Sequence, residues 1–368
     1  MFRANKSALS AAISKVKDAA LRKGTLPILE TILFDKKSDS VLSLRATNLN
    51  IEISVECEAV IDKTFEPFCL SATEIYDIVR NMAMDDVIVS ITGPDVVTVS
   101  SGRAKLKLPF LQARDFPIFP TIKGSVSLKI SEPAILSAHL SACLLSTKDD
   151  PTRLYLSGVF FCPGDDAISL VSTDGHRLTH RTFSADHIEG DFATITPSIV
   201  PIWVVQRMIK LMAGRDLVHL ELSEDYVRLS ADDSVMTAKM IEGTFPDWQR
   251  VVPQKNTIKI QFQSASLKSS LQRLMAVGDN AAMIEFDVAE NVMTLTKRDQ
   301  FGNVSEDSFS VDASDPWKSG FNGRYIIDML DGFSSHEIIM LAEQGGFAGL
   351  FKIPSSEHDI TVVMRRHR

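Results

Sequence analysis

The densest group of polar side chains in this 368-residue sequence is Ser172-Thr-Asp-Gly-His-Arg-Leu178. Considered as chemistry, Asp174 and His176 have the composition of an acid–base pair, and Arg177 that of an anion clamp. Considered as structure, Asp174-Gly175 is a turn signal that leads into a strand. Because neither a nucleophile nor a set of metal ligands accompanies the group, we favour the turn.

Other chemical motifs are missing or incomplete. The sequence has no GxxxxGK phosphate loop, GxSxG elbow or GxGxxG fingerprint. His336-Glu337 begins like a zinc-protease helix, but Met340 stands where the second histidine ligand is needed. His176 and His180 are four residues apart on a predicted strand, which is not the helical spacing of a ligand pair. We therefore predict a protein that is not an enzyme and binds no metal or cofactor.

Composition indicates a soluble, cytoplasmic protein of several domains. Apolar residues make up 45% of the chain and charged residues 23%. The first residues lack an apolar leader, no run approaches the roughly 20 apolar residues of a membrane span, and the four cysteines are widely separated. The net charge of −8 argues against nucleic-acid binding through the whole surface, so the distribution of charge must decide that question.

The chain contains three degenerate copies of one unit. Each copy opens with an amphipathic helix, continues through two β-branched or aromatic strands, and contains a second helix with stricter i, i+3, i+4, i+7 apolar spacing before further strands. The first-helix sets are Leu9/Ile13/Val16, Leu136/Leu140/Cys143 and Leu267/Leu271/Leu274; the second-helix sets are Ile75/Ile78/Val79/Met82, Val205/Met208/Ile209/Met212 and Ile326/Met329/Leu330/Phe333. The second helix of the first copy has a capping-box start, Ser71-Ala-Thr-Glu74.

This order predicts an α+β protein of three repeated domains, each with two helices packed on antiparallel sheets. The domains are predicted at 1–122, 123–253 and 254–368, and proline-bearing connectors lie at both joins. The helices are predicted at 4–23, 71–83, 131–150, 197–212, 264–279 and 323–333. They hold twelve Lys or Arg and nine Asp or Glu, so they are mildly positive while the rest of the chain is acidic.

The string Ser172–Leu178 closely resembles the TDGHRL signature of the bacterial sliding clamp, the β subunit of DNA polymerase III. Three more segments match that family at the expected intervals: Thr25-Leu-Pro-Ile-Leu29, Ala46-Thr-Asn-Leu-Asn50 and Phe245-Pro-Asp-Trp-Gln-Arg-Val251. The length and the three-copy plan match too, so the resemblance covers the whole chain.

The resemblance implies a head-to-tail homodimer that forms a six-domain ring, with strands outside and helices lining the hole. Such a ring is a processivity factor: it encircles duplex DNA without sequence specificity and tethers polymerases, the clamp loader and repair factors. Twelve helices spaced by about 8–10 Å leave a hole of roughly 25 Å, wide enough for a duplex. The residues that match the family's DNA-contacting positions are Arg22, Lys23, Lys148, Tyr155, Arg207 and Lys210.

The resemblance also implies a hydrophobic pocket that binds a short peptide motif of the partner proteins. The matching positions are Leu156, Thr173, Gly175, His176, Arg177, Leu178, Pro246, Val251, Val362 and Met364. From the residue types alone, Leu156, Val251 and Val362 would simply be core. The tail Met364-Arg-Arg-His-Arg368 departs from the family pattern, because Arg365 replaces a proline and Arg366 an apolar wall residue, so we expect two positive charges at the pocket mouth.

The dimer contact is predicted at Leu106 and Leu108, which lie on an edge strand with gatekeeper lysines, and at the helix end near Arg273 and Val277. Three alternatives remain open at this stage. One is a specialised paralogue of the main clamp, another is a peptide-binding scaffold that does not bind DNA, and the third is an enzyme built on a repeated α+β fold.

Overall fold

A computed structural model describes residues 1–277 and 283–366. The helices are α1 Lys6–Val16, α2 Ala72–Arg80, α3 Pro133–Leu144, α4 Ile202–Met212, α5 Ser264–Met275 and α6 Gly323–Asp331. The strands of the first copy are β1 Phe2–Asn5, β2 Thr31–Lys36, β3 Val41–Thr47, β4 Ile51–Glu58, β5 Val60–Ile61, β6 Phe68–Ser71, β7 Asp86–Gly93, β8 Val96–Ser101, β9 Ala104–Pro109 and β10 Leu111–Gln112.

The second and third copies contain the remaining strands. In the second copy they are β11 Val126–Ile130, β12 Gly158–Pro163, β13 Ala167–Thr173, β14 Arg177–Ser184, β15 Ile188–Glu189, β16 Ser198–Pro201, β17 Val218–Leu222, β18 Tyr226–Ala231 and β19 Ser234–Lys239. In the third copy they are β20 Ile258–Gln263, β21 Met283–Ala289, β22 Val292–Arg298, β23 Val304–Ser310, β24 Asp312–Ala313, β25 Trp317–Asn322, β26 Glu337–Ala342, β27 Ala348–Lys352 and β28 Ile360–Met364.

The threefold repetition of elements is confirmed. In every copy a strand precedes the first helix and another strand precedes the second, and four strands of the described residues lie between the first helix and the strand before the second. A polar side chain caps several of these helices: Asn5 accepts from the backbone of Ser7 and Ala8, and Ser71 accepts from that of Glu74. The predicted capping residue of α2 is therefore in place.

The predicted first helices of all three copies were too long. Helix α1 ends at Val16 rather than at residue 23, and α3 ends at Leu144 rather than at residue 150. Each ends at or next to the last member of its apolar set, so the i, i+4, i+7 spacing marks the end of the helix better than the residue types that follow it. Helix α5 ends at Met275, and residues 278–279 of its predicted range lie outside the described residues.

The chain divides into two compact units. The first comprises Met1–Lys129 and Leu217–Lys239. It contains a five-stranded sheet in the order β5-β1-β7-β8-β9 and a longer run in the order β10-β6-β2-β3-β4-β19-β18-β17-β11. Helices α1 and α2 pack against each other, and α1 also packs on β4. The core includes stacked rings, with Phe34 lying 6.0 Å from Phe2 and 5.5 Å from Phe68 between centroids.

The second unit comprises Ile130–Asp216 and Met240–Arg368. Its larger sheet has the order β16-β12-β13-β14-β28-β27-β26-β20-β24, and its smaller sheet the order β23-β22-β21-β25. Helix α3 packs on α4, and α5 packs on α6. A large apolar cluster lies around Phe286, Phe321 and Phe351. No helix among the described residues is long and apolar enough to cross a bilayer.

In each unit, one sheet joins strands from two consecutive copies. Strand β4 of the first copy pairs antiparallel with β19 of the second, and we call this pairing the first seam. Strand β14 of the second copy pairs antiparallel with β28 of the third, and we call this pairing the second seam. Strands β4 and β14 hold the same place in their copies, as do β19 and β28, so the two seams are equivalent.

Candidate functional site at the second seam

The segment Thr173–Arg177 forms a tight turn between β13 and β14. The Thr173 hydroxyl donates to the carbonyl of Arg177 at 2.7 Å, and the Asp174 carboxylate accepts from the backbone N–H groups of His176 and Arg177 at 2.9 and 3.0 Å. Gly175 has a φ of +86°, a conformation that an L side chain rarely adopts. The interpretation of this segment as a turn is confirmed, because the Asp174 carboxylate is committed to the backbone.

Arg177 is held at the second seam by two carboxylates. Its guanidinium donates to Asp174 at 3.1 Å and to Asp328 at 2.8 Å, and it lies over the ring of Tyr325 at 4.4 Å. The side chain is only 10% exposed. Because its charge is already balanced, Arg177 orders this region and is not a free anion clamp.

A cavity of about 300 Å³ lies beside the turn and the second seam. The cross-strand partners Leu178 and Val362 form its floor. The N–H of Met364 donates to the carbonyl of His176 at 2.9 Å. All ten residues that the family resemblance assigned to a peptide pocket line this one cavity. The cavity is also lined by Arg153, Tyr155, Asp247 and Trp248.

The cavity has an apolar floor and a mixed rim. Leu178 and Val362 are each 2% exposed and belong to a cluster of buried apolar residues, whereas Val251 at the rim is 44% exposed. Core packing and pocket lining are thus not alternatives for Leu178 and Val362, because both side chains belong to the buried cluster and also line the cavity. A concave apolar surface with a few polar groups at its edge is suited to holding one or two apolar side chains.

The sequence reasoning assigned three of the lining residues to no site: Arg153, Asp247 and Trp248. Trp248 lies within the matched segment Phe245–Val251. Its ring lies 4.6 Å from the imidazole of His180, whose Nε2 is 3.0 Å from the Ser169 hydroxyl. Burial lowers the pKa of His180 to about 4, so the imidazole is neutral. His176 instead lies against Tyr325, and the described residues contain no cluster of metal-ligating side chains.

Two further sequence-based assignments concern the surroundings of the cavity. Tyr155, which the family resemblance assigns to DNA contact, lines the apolar cavity. The other expectation is corrected by the structure. Arg365 and Arg366, expected at the mouth of the pocket, line a different cavity with Lys318 and Gly320, because the chain after β28 leaves the second seam. Their backbone N–H groups donate to the carbonyls of Phe347 and Gly320 instead.

The other assigned DNA-contacting residues are dispersed. Arg22 and Lys23 are exposed in the turn that follows α1, and Lys148 is exposed after α3, so none of the three is helical. Arg207 and Lys210 lie on α4, where the Arg207 guanidinium donates to the carbonyl of Trp203 at 2.9 Å.

The assigned dimer residues lie at two strand edges. Strand β9 ends the five-stranded sheet, and β23 ends the four-stranded sheet. Leu106 on β9 is 42% exposed, but Leu108 is 8% exposed and packs within its own protomer. Arg273 on α5 forms an ion pair with Asp307 on β23 at 2.6 Å, and Val277 beyond that helix is 54% exposed. Leu108 is therefore a poor candidate for a contact that needs an exposed side chain.

Comparison with known proteins agrees with this architecture. The DNA polymerase III beta subunit N-terminal, central and C-terminal domains match residues 1–120, 132–247 and 249–346. The chain belongs to the DNA polymerase III beta subunit family. The beta sliding clamp of Caulobacter vibrioides is 29% identical over an alignment of 333 residues that covers 88% of each chain.

Solved clamp structures superpose on the whole chain. A sliding clamp (DNA polymerase III subunit beta) from Bartonella birtlesii, bound to griselimycin, is 26% identical with a TM-score of 0.91 and 100% coverage of both chains. A DNA polymerase sliding clamp from Caulobacter crescentus is also 26% identical, with a TM-score of 0.91 and coverage of 100% and 99%. The α+β plan of three repeated domains, expected from the repeat, and the clamp fold, implied by the family resemblance, are therefore confirmed.

Proposed function

We propose that two copies of this chain close into a ring that encircles duplex DNA and tethers polymerases and other replication or repair factors through the apolar pocket. The observation that carries the proposal is the presence of two unpaired strand edges that correspond to the two seams. Strand β23 holds the place of β4 and β14 in the third copy, and β9 holds the place of β19 and β28 in the first. Both β9 and β23 end their sheets.

Pairing β9 of one protomer with β23 of its partner would reproduce the internal seams. The five-stranded and four-stranded sheets would then become one sheet of nine strands, the number in the sheet that contains the second seam. Both internal seams are antiparallel, so we propose antiparallel pairing here too. A head-to-tail contact of this kind is used twice in a dimer and leaves neither edge open.

Charge favours the same pairing. Strand β9 carries Lys105 and Lys107, both exposed, and β23 carries the exposed Glu306, while Asp307 on the same strand is paired with Arg273 of its own protomer. Opposite charges across neighbouring strands stabilise the pairing, whereas like charges oppose it. The exposed side chain of Leu106, between the two lysines, supplies an apolar contact, and we propose the end of α5 around Arg273 and Val277 as its surroundings.

The helices are the proposed DNA-facing elements. Their basic residues are Lys6, Lys15, Arg80, Arg207, Lys210, Lys268, Arg273 and Arg324; their acidic residues are Glu74, Asp77, Asp328 and Asp331. A mildly positive inner surface gives weak, sequence-independent phosphate contacts, so closure of the ring retains the DNA. We propose domains at 1–122, 123–253 and 254–368, and a non-catalytic role in the cytoplasm.

The closing contact is tested by charge reversal on each edge. Lys105→Glu/Lys107→Glu and, separately, Glu306→Lys/Ser308→Lys, at exposed positions of β23, are expected to reduce the dimer to monomers in sedimentation, where one chain weighs 40.6 kDa. An equimolar mixture should restore the dimer, because one junction then pairs the two reversed edges and the other pairs two unaltered edges. Lys255→Glu/Lys259→Glu, on neither edge, is the matched control. Unchanged dimers in both variants would contradict the proposed edge pairing.

The clamp function is distinguished from a peptide-binding scaffold by DNA retention. A clamp loaded onto nicked circular DNA should stay bound and leave quickly once the circle is cut, whereas a scaffold should not be retained on either form. The net charge of −8 is the observation that favours the scaffold. Retention on the circle alone would exclude it, and retention on neither form would contradict the clamp.

A further inference from the structure

The residues after β28 form one wall of a second cavity close to the apolar pocket. The N–H of Arg365 donates to the carbonyl of Phe347 at 2.8 Å, and that of Arg366 donates to the carbonyl of Gly320 at 2.9 Å. These bonds fix the tail against β25 and against the residue that precedes β27. The cavity measures about 420 Å³ and is also lined by Lys318 and Gln344.

The cavity lining holds three basic side chains, Lys318, Arg365 and Arg366, and one acidic side chain, Glu285. Lys318 is balanced, because it pairs with Glu285 and, at 3.0 Å, with Asp287. Arg365 and Arg366 differ from it: across residues 1–277 and 283–366, neither arginine forms an ion pair with the protein. Two guanidinium groups are thus available to a ligand, and a guanidinium pairs well with carboxylate oxygens.

Consecutive residues of the chain line the apolar pocket and the second cavity. The side chain of Met364 lines the pocket, and the next two residues line the cavity. An extended chain advances about 3.3 Å per residue, so Arg366 lies within about 7 Å of Met364 along the backbone. A peptide that leaves the pocket past Met364 would therefore reach the arginines within roughly two to four residues.

We propose that the segment bound in the apolar pocket carries acidic residues two to four positions from its apolar anchor, and that Arg365 and Arg366 select for them. This inference rests on the proposed peptide-binding function of the pocket. A carboxylate-bearing peptide is favoured over duplex DNA, because a duplex about 20 Å wide does not enter a cavity of this size.

The test is a titration of fluorescent peptides that share one Leu-Phe anchor. One set carries an Asp pair two to four positions from the anchor on either flank, another carries the same pair eight positions away, and a third carries Asn in place of Asp. At low salt the near Asp pair, on one flank, should raise the affinity roughly three- to tenfold over Asn, and the gain should shrink in high salt. The distant pair should give a much smaller gain.

Substitutions then assign the gain to the two arginines. Arg365→Gln/Arg366→Gln should abolish the gain and leave the affinity for the Asn peptide unchanged, while Lys255→Gln/Lys259→Gln, which removes equal charge elsewhere in the same unit, should preserve it. If the Asn peptide binds but near Asp pairs add nothing, the inference fails and the pocket function stands. If no peptide binds, both fail. If the arginine variant weakens binding of a duplex oligonucleotide and not of the Asp peptide, these arginines contact nucleic acid and the inference is overturned.

Discussion

The first and second seams share one backbone design and differ in the side chains placed on it. In the first seam the Thr47 hydroxyl donates to the carbonyl of Ile51 at 2.7 Å, the distance of the corresponding bond from Thr173 to Arg177 in the second. Asn48 takes the role of Asp174, accepting from two backbone N–H groups at 3.0 Å. The hydrogen bond to the next copy is repeated too. The backbone N–H of Lys239 donates to the carbonyl of Asn50 at 2.9 Å, as the N–H of Met364 does to the carbonyl of His176.

The cross-strand pair beside each turn is where the seams diverge. In the second seam this pair is Leu178 and Val362, and in the first it is Glu52 and Thr237. Burial raises the pKa of Glu52, while the nearby Arg45 and Arg228 lower it. A carboxylate on this floor is incompatible with an apolar guest, because the guest would remove its water without providing a partner. Equal backbones therefore give one apolar pocket and one polar seam.

The largest effect is expected when the cross-strand pair of the second seam is replaced by the residue types of the first. Leu178→Glu/Val362→Thr should abolish binding of an apolar peptide in a fluorescence titration, and it should lower the free energy of unfolding by at least about 3 kcal/mol, since it buries an unpaired carboxyl group and removes apolar contacts. Glu52→Leu/Thr237→Val in the first seam is the matched control and should leave peptide affinity unchanged. Equal loss in both variants would show that the floor does not define the site.

The two seams should also respond to acid with opposite signs. The pKa of His180 is lowered by burial to about 4 from its ordinary 6.5, so the unfolded chain binds more protons between these values. The neutral imidazole of His180 therefore stabilises the fold fully above pH 6.5. As the pH falls towards 4, this stabilisation is lost and the free energy of unfolding decreases by about 3 kcal/mol. The pKa of Glu52 is raised, so the folded chain takes up this proton more readily than the unfolded chain, and the free energy of unfolding from this group increases as the pH falls.

Urea unfolding of the wild type and of His180→Gln between pH 7 and pH 4.5 measures the histidine contribution. The variant should lose less stability on acidification than the wild type, while Glu52→Gln should lose more. Parallel pH profiles for wild type and His180→Gln would mean that His180 is not the acid-sensitive group of the second seam.

A smaller effect is expected from the turns themselves. Leu49 has a φ of +73° in the first turn, where the second turn has Gly175 at +86°. A side chain in this left-handed conformation costs about 1–2 kcal/mol, so Gly175→Ala should destabilise the protein by about 1 kcal/mol. Leu49→Gly should relieve strain and raise the free energy of unfolding by less than about 1 kcal/mol, since glycine also loses more entropy on folding. Chemical denaturation checks both, and the same sign for both would contradict the equivalence of the turns.

Periodicity and turn chemistry made the repeat and the elements beside the turns predictable. The strand pairs that flank Ser172–Leu178 follow from β-branched residues on either side of an Asp-Gly turn. The four-residue strand β1, which leads into α1, was missed, because so short a segment carries no period of its own. The first helix was predicted to extend too far, because Lys17 and Asp18, which follow its last turn, are residue types that also occur within helices.

Site residues were predictable only where a motif carried them. The pocket wall formed by Leu178 and Val362 depends on a strand pairing across 184 residues, which no local pattern encodes. The sequence also does not predict the direction of the chain after Met364. Arg365 was therefore expected at the mouth of the apolar pocket, whereas it lines the second cavity. Tyr155 has an amphipathic ring that suits both a nucleic-acid surface and an apolar pocket, so its residue type alone did not predict its place on the cavity lining.

The most direct test of the account is amide hydrogen exchange with and without a saturating apolar-anchor peptide. We predict that the peptide slows exchange in the turn Thr173–Arg177 and in β28, and leaves the equivalent turn Thr47–Ile51 and β19 unchanged. The two seams serve as internal controls for each other, because their backbone hydrogen bonds are the same. Protection of both seams, or of the first alone, would contradict the claim that Leu178 and Val362 make the second seam the partner-binding site.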